Sequence, residues 1–328
     1  MPKKNSRFYI GIDIGGTKIC AGLVSPSGII LEREKIPTPV ESSSRRSLLA
    51  IVEIIQNLLT DRRLTTKEIR GIGIGIPGLV NAGKGEVLVT PNMNLTGINI
   101  IRELRHKFPV QIVIGNDANL GILGEKWLGA ACGAENAVGL FLGTGLGGGV
   151  ISGGKLLTGY QGVAAEIGHL IVDPHGPRCS CGNRGCLEAF VGRWAIERDI
   201  REAINDGKKP KLHKLFKKKI NRIKSKVLRE ALDKKDPVVT PIMKKSAEIL
   251  GLACISLRHI FDPECIILGG GVIEACRDYI IPVVKKTIEK DKFFRSMRRC
   301  KIKKSSLGDD AVLLGSVALV RQSEGKEV

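Results

Sequence analysis

The sequence contains one strand–glycine turn–strand unit twice, at its start and near its middle. The first copy spans residues 10–28, IGIDIGGTKICAGLVSPSG, and the second spans residues 137–155, AVGLFLGTGLGGGVISGGK. The copies correspond with a slip of about one residue along the alignment. Two copies of one unit in a single chain predict a duplicated fold with a cleft between its halves.

Hydrophobic periodicity around these copies predicts an α/β fold. Predicted strands cover residues 8–14, 18–24, 29–35, 71–78, 110–117, 137–142, 265–268 and about 300–303. Predicted helices cover residues 43–60, 99–107 (opened by Asn99), 118–128, 272–290 and 308–322. At 328 residues the chain can form two domains with a substantial core.

Composition excludes several classes of protein. No apolar run reaches the roughly 18 residues that a membrane span needs. The start, MPKKNSRFYIGIDIGG, passes from a basic tail into a strand without the apolar core of a signal peptide. Of nine cysteines, only Cys179, Cys181 and Cys186 cluster. This usage predicts a reduced, cytoplasmic protein with one metal site rather than a disulfide framework.

The net charge of +19 is concentrated partly in one segment, Lys208 to Lys235. We interpret this segment as a solvated, lysine-rich helix pair. A nucleic-acid surface is the alternative, but the segment lacks interleaved aromatic residues and any recognisable binding motif. A general attraction for anionic substrates is the safer inference from the charge.

The glycine turn of the second copy matches the dinucleotide motif G-x-G-x-x-G from Gly143 onwards. That motif must open a helix, whereas strand and turn residues follow here, so dinucleotide binding is excluded. A turn between two strands can instead bind phosphate through successive backbone N–H groups, and glycine permits the necessary backbone angles. We therefore predict phosphate binding at residues 13–18 and 142–145, with tight hairpins as the plain alternative.

The cysteine cluster has the spacing His169-x9-Cys179-x-Cys181-x4-Cys186. Four nitrogen and sulfur ligands suit tetrahedral Zn²⁺, and a filled set leaves no open position for water. We therefore predict a structural zinc knuckle. His175 lies closer to Cys179 and is an alternative fourth ligand.

Five motifs together resemble the ROK family of sugar kinases and sugar-responsive repressors. They are DIGGTK (13–18), LGTGLGGG (142–149), EIGH (166–169), CSCGNRGCLE (179–188) and DPECIILGGGV (262–272). The resemblance extends from Ile10 to about Val320. It implies an actin-like/hexokinase (ribonuclease-H-like) fold with two lobes around a cleft. The small lobe would comprise residues 1–118 completed by a helix at about 310–328, and the large lobe residues 119–309 with the knuckle.

The resemblance also implies roles for individual residues. ATP, with Mg²⁺ oriented by Asp13, would bind at Asp13, Gly15, Gly16, Thr17, Lys18, Gly143, Thr144, Gly145 and Gly270. The sugar would bind at Gly78, Asn116, Asp117, Glu166, His169 and Glu188. Zinc would be held by His169, Cys179, Cys181 and Cys186.

Asp117 is the candidate general base, because phosphorylation of a hydroxyl needs a base beside it. From the residues alone, Asn-Asp after a strand and before a helix is also an ordinary helix N-cap. The resemblance favours catalysis, since ROK kinases carry their catalytic aspartate in this pair.

The function implied is ATP-dependent phosphorylation of the 6-hydroxyl of a hexose, with glucose as the expected substrate. The alternatives are N-acetylmannosamine, N-acetylglucosamine or fructose as substrate, or a non-catalytic sugar sensor. Many ROK kinases have a tryptophan where Ile98 follows Gly97 here, which weakens the case for strict glucose specificity. Only about seven residues precede the first strand, so we expect no helix-turn-helix and no nucleic-acid partner. The resemblance implies a homodimer or homotetramer.

Overall fold

The structure is a computed structural model that describes residues 7–40, 42–91, 93–212, 223–294, 296–297 and 300–328. The strands are β1 (Phe8–Ile14), β2 (Lys18–Val24), β3 (Ile30–Pro37), β4 (Ile69–Ile76), β5 (Leu79–Asn81), β6 (Glu86–Val89), β7 (Gln111–Asn116), β8 (Ala137–Leu142), β9 (Leu146–Ser152), β10 (Lys155–Leu156), β11 (Cys265–Gly269) and β12 (Lys301–Lys304). The helices are α1 (Ser44–Asp61), α2 (Ile100–Arg105), α3 (Asp117–Leu128), α4 (Glu188–Val191), α5 (Arg193–Asn205), α6 (Ser225–Asp233), α7 (Val239–Phe261), α8 (Gly271–Ile288) and α9 (Ala311–Ser323).

The predicted elements are present to within a few residues at each end. The strands β5, β6 and β10 and the helices α4, α5 and α7 were not predicted individually. Of the lysine-rich helix pair predicted at 208–235, the described residues contain α6, and residues 213–222 lie outside the description.

The two main sheets repeat one topology. The first has the order β3-β2-β1-β4-β7 and the second has the order β10-β9-β8-β11-β12. In each, the first three strands pair antiparallel and the last two pair parallel to the central strand. The glycine turns of the two sequence copies join β1 to β2 and β8 to β9, so they occupy equivalent places. The duplication predicted from the sequence is therefore present in the fold.

Each sheet supports its own apolar core. Helix α1 covers the first sheet, and its buried stripe includes the fully enclosed Ile51, Ile54, Ile55 and Leu58. Burying one such side chain contributes about 1.5–3 kcal/mol to the free energy of unfolding. Helices α5 to α8 contribute to the core of the second sheet. No helix within the described ranges has both the length and the apolar character needed to cross a membrane.

Helices α3 and α9 cross where the two halves meet. A Cβ atom at Gly315 would lie 1.8 Å from the Leu120 carbonyl oxygen, so only glycine permits this close approach. The buried carboxylate of Glu125 on α3 fastens the loop before α9, accepting from Ser305 Oγ at 2.6 Å and from the Leu307 N–H at 3.0 Å. Helix α9 also packs against the first sheet, with Val317 and Val320 buried beside Tyr9. The proposed lobe boundaries at 118/119 and 309/310 remain a prediction.

Candidate active site and metal centre

The first glycine turn, between β1 and β2, is a tight hairpin that Thr38 stabilises through hydrogen bonds. Gly15 N–H donates to the Lys18 carbonyl at 2.9 Å. Thr38, in the loop after β3, donates its hydroxyl to the Gly15 carbonyl at 2.6 Å and its N–H to the Thr17 carbonyl at 3.1 Å. Gly16, Thr17 and Lys18 are exposed at the tip. Backbone N–H groups at an exposed tip of this kind suit an anion such as phosphate.

Asp13, the penultimate residue of β1, lies beside this turn with two further carboxylates. Its pKa is raised to about 7, first by burial, then by the negative charges of Asp117 and Asp309, while Lys18 opposes the shift. Lys18 itself forms an ion pair with Asp309 at 3.1 Å. A divalent cation would relieve the repulsion within such a group, and oxygen ligands are those that Mg²⁺ prefers. The residues therefore fit the predicted magnesium ion.

The second glycine turn, between β8 and β9, closes through Gly143 N–H and the Gly145 carbonyl at 3.0 Å. Thr144 is exposed at its tip. Gly270, which precedes α8, has a φ of 86°, and a Cβ there would lie 2.5 Å from the Leu142 carbonyl oxygen. The turn before α8 therefore packs directly on the second hairpin, as expected if both contact one nucleotide.

Asn116 and Gly78 form one unit at the end of the first sheet. The Asn116 side chain caps α3 by accepting from Asn119 N–H at 3.0 Å, and its Nδ2 donates to the Gly78 carbonyl at 2.9 Å. Gly78 has a φ of 99°, and a Cβ there would lie 2.3 Å from the Val89 carbonyl oxygen. The N-cap interpretation therefore holds for Asn116, which also fixes the loop that carries Gly78.

Asp117 is the first residue of α3 and is not the cap. Its Oδ1 accepts the N–H of Ala118 at 2.8 Å. Burial raises its pKa to about 6, the Ala118 N–H opposes the shift, and the charge of Glu166 adds to it. A carboxylate with a pKa near 6 can accept a proton at neutral pH and release it again, as a general base must.

The cysteine cluster brings its ligand atoms together. His169, Cys179, Cys181 and Cys186 each offer one ligand atom, and these atoms all lie within 4.8 Å of one another. His169 Nδ1 is 3.7 Å from Cys179 Sγ, and Cys181 Sγ is 3.6 Å from Cys186 Sγ. His169, and not the alternative His175, completes the set. Nδ1 faces the cysteines, so the other ring nitrogen, Nε2, lies outside the cluster.

The cluster fits zinc in both spacing and chemistry. Ligands about 2.0–2.3 Å from a tetrahedral ion lie roughly 3.5–3.8 Å apart, close to the two observed separations. Burial, followed by contact with Cys181 and Cys179, raises the pKa of the Cys186 thiol to about 12. Thiols this close ionise together only beside a cation, which zinc would supply.

Glu188, the first residue of α4, joins the knuckle to the second hairpin. Its Oε2 accepts the Leu146 N–H at 2.9 Å, and its Oε1 accepts from Ser180 Oγ and Trp194 Nε1, both at 3.2 Å. The side chain is buried. The sequence predicted Glu188 as a sugar ligand, and the structure adds this connecting role.

Glu166 lies directly before the short 3₁₀ helix Ile167–His169. Burial raises its pKa, the His169 side chain opposes the shift, and the charge of Glu188 adds to it. Its charge also acts on Asp117. The predicted sugar-binding residues Asp117, Glu166, His169 and Glu188 thus belong to one electrostatic neighbourhood.

Three residues of this region were missed by sequence reasoning: Asp309 beside Asp13, and Arg193 and Trp194 beside the second hairpin. Each lies outside the recognised motifs, at the start of a helix whose position depends on the folded chain. No local pattern in the sequence singles them out.

Comparison with known proteins identifies the family. The family model described as "ROK family" matches residues 9–323. A glucokinase of Thermotoga maritima is 35% identical over 99% of this chain and 100% of its own length. A xylose repressor of Caldicellulosiruptor bescii is 30% identical over 97% of this chain and 79% of its own length.

A solved structure has the same architecture. The ROK family glucokinase from Streptomyces griseus, in complex with glucose and AMPPNP, superposes with a TM-score of 0.81 at 30% identity, covering 96% of this chain and 99% of that one. The predicted hexokinase-type α/β fold is thereby confirmed. With the family model matching nearly the whole length, this chain belongs to the ROK family.

Proposed function

We propose that this protein is an ATP-dependent sugar kinase that phosphorylates the 6-hydroxyl of a hexose, with glucose as the preferred substrate. The observation that carries the proposal is Asp117, a carboxylate with a pKa near 6 that is electrostatically coupled to Asp13 at the first phosphate hairpin and to Glu166 before the knuckle. The glucokinases of Thermotoga maritima and Streptomyces griseus support this assignment. The chain is accordingly a phosphotransferase.

In the proposed reaction, Asp117 accepts the proton of the sugar 6-hydroxyl as its oxygen attacks the γ-phosphorus of ATP. The bond to the β,γ-bridging oxygen breaks and ADP leaves. The backbone N–H groups of the two hairpins, with Thr17, Lys18 and Thr144, would bind the phosphates. Asp13 would orient Mg²⁺, which offsets negative charge when it is bound.

The sugar would lie between the Gly78 loop and the knuckle. Glu166 and Glu188 accept hydrogen bonds from sugar hydroxyls, and Asn116 has a second Nδ2 hydrogen to donate. His169 would hold zinc through Nδ1 and donate from Nε2, so the zinc-bound knuckle fixes the direction of one hydrogen bond to the sugar.

Two observations favour alternatives to this proposal, one for a different sugar and one for a different class of function. Ile98 after Gly97 keeps fructose and the N-acetylated sugars as candidates. The likeness to a xylose repressor makes a non-catalytic sugar sensor the candidate of another class. Cytoplasmic location and a homo-oligomeric state complete the proposal.

A coupled assay of ADP release tests the function. The panel contains glucose, fructose, N-acetylglucosamine, N-acetylmannosamine and xylose with Mg-ATP, and Asp117→Asn serves as the matched variant. We expect turnover of glucose, reduced about 100- to 10,000-fold in the variant, because a general base contributes that much. Silence across the panel, with sugar binding retained by calorimetry, would instead support the sensor.

A further inference from the structure

The start of α5 is fastened to the tip of the second hairpin. Arg193 Nη2 donates to Thr144 Oγ1 at 2.8 Å, and the Trp194 N–H donates to the Thr144 carbonyl at 3.2 Å. Trp194 also packs against Cys179, Cys186 and Ala189 of the knuckle region. These contacts hold Arg193 at the hairpin tip.

The guanidinium of Arg193 is oriented from its other side by Glu197, one turn later on α5. Nε lies 3.6 Å from Glu197 Oε1, and that oxygen also accepts the Ile223 N–H at 2.8 Å. The Arg193 side chain retains 24% exposure. Among the described residues, Nη1 donates no hydrogen bond, so it can reach an incoming acceptor.

The hydrogen bond from Arg193 also determines which hydrogen-bonding role the Thr144 hydroxyl can take towards a ligand. A hydroxyl has one hydrogen to donate and two lone pairs that accept. Arg193 occupies a lone pair, so the hydroxyl hydrogen is left for an acceptor. Arg193 and Thr144 thus present adjacent donors at the hairpin tip, and a guanidinium fork matches phosphate oxygens well.

We propose that Arg193 is a phosphate-binding residue, which contacts the β- and γ-phosphates of ATP beside Thr144. The inference rests on the proposed function in that it takes the second hairpin to be the nucleotide site. It assigns Arg193 to affinity for the donor nucleotide and not to recognition of the sugar.

The test compares Arg193→Met and Arg193→Lys with Arg46→Met, which removes the same charge from an exposed ion pair on α1. Calorimetry measures binding of ATP, ADP and AMP, and kinetics measure KM for Mg-ATP and for glucose. We expect Arg193→Met to weaken ATP binding about 10- to 100-fold, as for lost hydrogen bonds to a charged group. AMP binding and the glucose KM should change less than about twofold.

Arg193→Lys should recover part of the affinity, because a single ammonium keeps the charge but loses the fork. Equal ATP affinity in Arg193→Met and the parent protein would overturn the proposal. So would a parallel loss of ATP, AMP and glucose binding in both Arg193 variants, which would indicate a structural role. If the parent binds ATP in an Arg193-dependent manner yet phosphorylates no sugar, the kinase assignment fails while this inference stands.

Discussion

The two glycine hairpins occupy equivalent places in equivalent sheets, yet their surroundings differ in charge. Ile14 pairs with Ile19 in the first and Leu142 pairs with Leu146 in the second, so the first turn is one residue longer. The first lies beside the carboxylates of Asp13, Asp117 and Asp309. The second is contacted by the guanidinium of Arg193 and is held by Glu188 and Trp194 from the knuckle region.

The repeat therefore supplies the hairpin geometry, whereas the charges around the hairpins come from Asp13 within the first copy and from Asp117, Asp309 and Arg193 outside both copies. An acidic environment binds a phosphate through a bridging cation, whereas a basic environment binds it directly. We therefore expect Mg²⁺ to add to the donors of the first hairpin, Thr17 and Lys18 among them, and the second hairpin to depend on its own donors alone.

Among the variants that compare the two hairpins, Asp13→Asn should have the largest effect. The variant should lose about 100- to 1,000-fold in kcat/KM for Mg-ATP, because it removes the carboxylate that orients the cation. The matched control is Asp61→Asn, an exposed carboxylate at the end of α1 outside the site, which should lose less than about threefold. Steady-state kinetics over a range of Mg²⁺ concentrations provide the measurement. Equal losses in the two variants would mean that Asp13 has no special role.

Cys181→Ser, in the zinc knuckle that adjoins the second hairpin, should have the next largest effect. Loss of one ligand should remove zinc, measured by elemental analysis, and raise the sugar KM about 10- to 100-fold because His169 loses its fixed orientation. Cys132→Ser is the control, since that exposed cysteine lies outside the cluster. A zinc-free Cys181→Ser protein with an unchanged sugar KM would contradict the link between knuckle and sugar.

The carboxylates near the first hairpin should also determine how kcat/KM depends on pH. With pKa values near 6 for Asp117 and 7 for Asp13, kcat/KM should rise about tenfold or more between pH 5 and 7 as the carboxylates ionise. The free energy of unfolding should instead decrease as pH rises over this range. A carboxyl pKa raised on folding stabilises the fold at low pH, and this contribution is lost as pH rises through the folded-state pKa.

Paired measurements of kcat/KM and Tm from pH 5 to 8 check these signs. Asp13→Asn should flatten part of the decline in Tm, because the amide does not titrate. A Tm that rises with pH in the parent and falls in the variant would contradict the assignment of raised pKa values.

The smallest effect is expected from Trp194→Phe, which keeps the ring against the knuckle but removes the hydrogen bond from Nε1 to Glu188. Glu188 keeps its hydrogen bonds from the Leu146 N–H and from Ser180 Oγ, so the loss should be about 1 kcal/mol, which raises KM for Mg-ATP and for the sugar about fivefold each. A change in only one of the two KM values would argue against Glu188 as a connection between the sites. The comparison protein is Trp127→Phe, whose ring packs against α9 instead.

Those features that a short stretch of sequence specifies were predicted correctly. The repeated hairpins, the capping Asn99 and the spacing from His169 to Cys186 each specify a structure within a short window. The choice of His169 over His175 came from the family resemblance, and the cluster agrees with it.

The remaining features depend on tertiary contacts and could not be predicted. Arg193 reaches Thr144 across 49 positions of sequence, and Lys18 reaches Asp309 across 291. No sequence motif includes Glu125, yet it is fully buried and its carboxylate holds the loop before α9. Such roles appear only when the packing of distant elements is known.

The most direct test of the contrast between the hairpins is ATP binding, measured by calorimetry with and without Mg²⁺, in Asp13→Asn and Arg193→Met. We expect Asp13→Asn to lose the strengthening of ATP binding by Mg²⁺. Arg193→Met should bind ATP more weakly under both conditions while keeping its response to Mg²⁺. The same loss in both variants, under both conditions, would contradict a division of roles between the two hairpins.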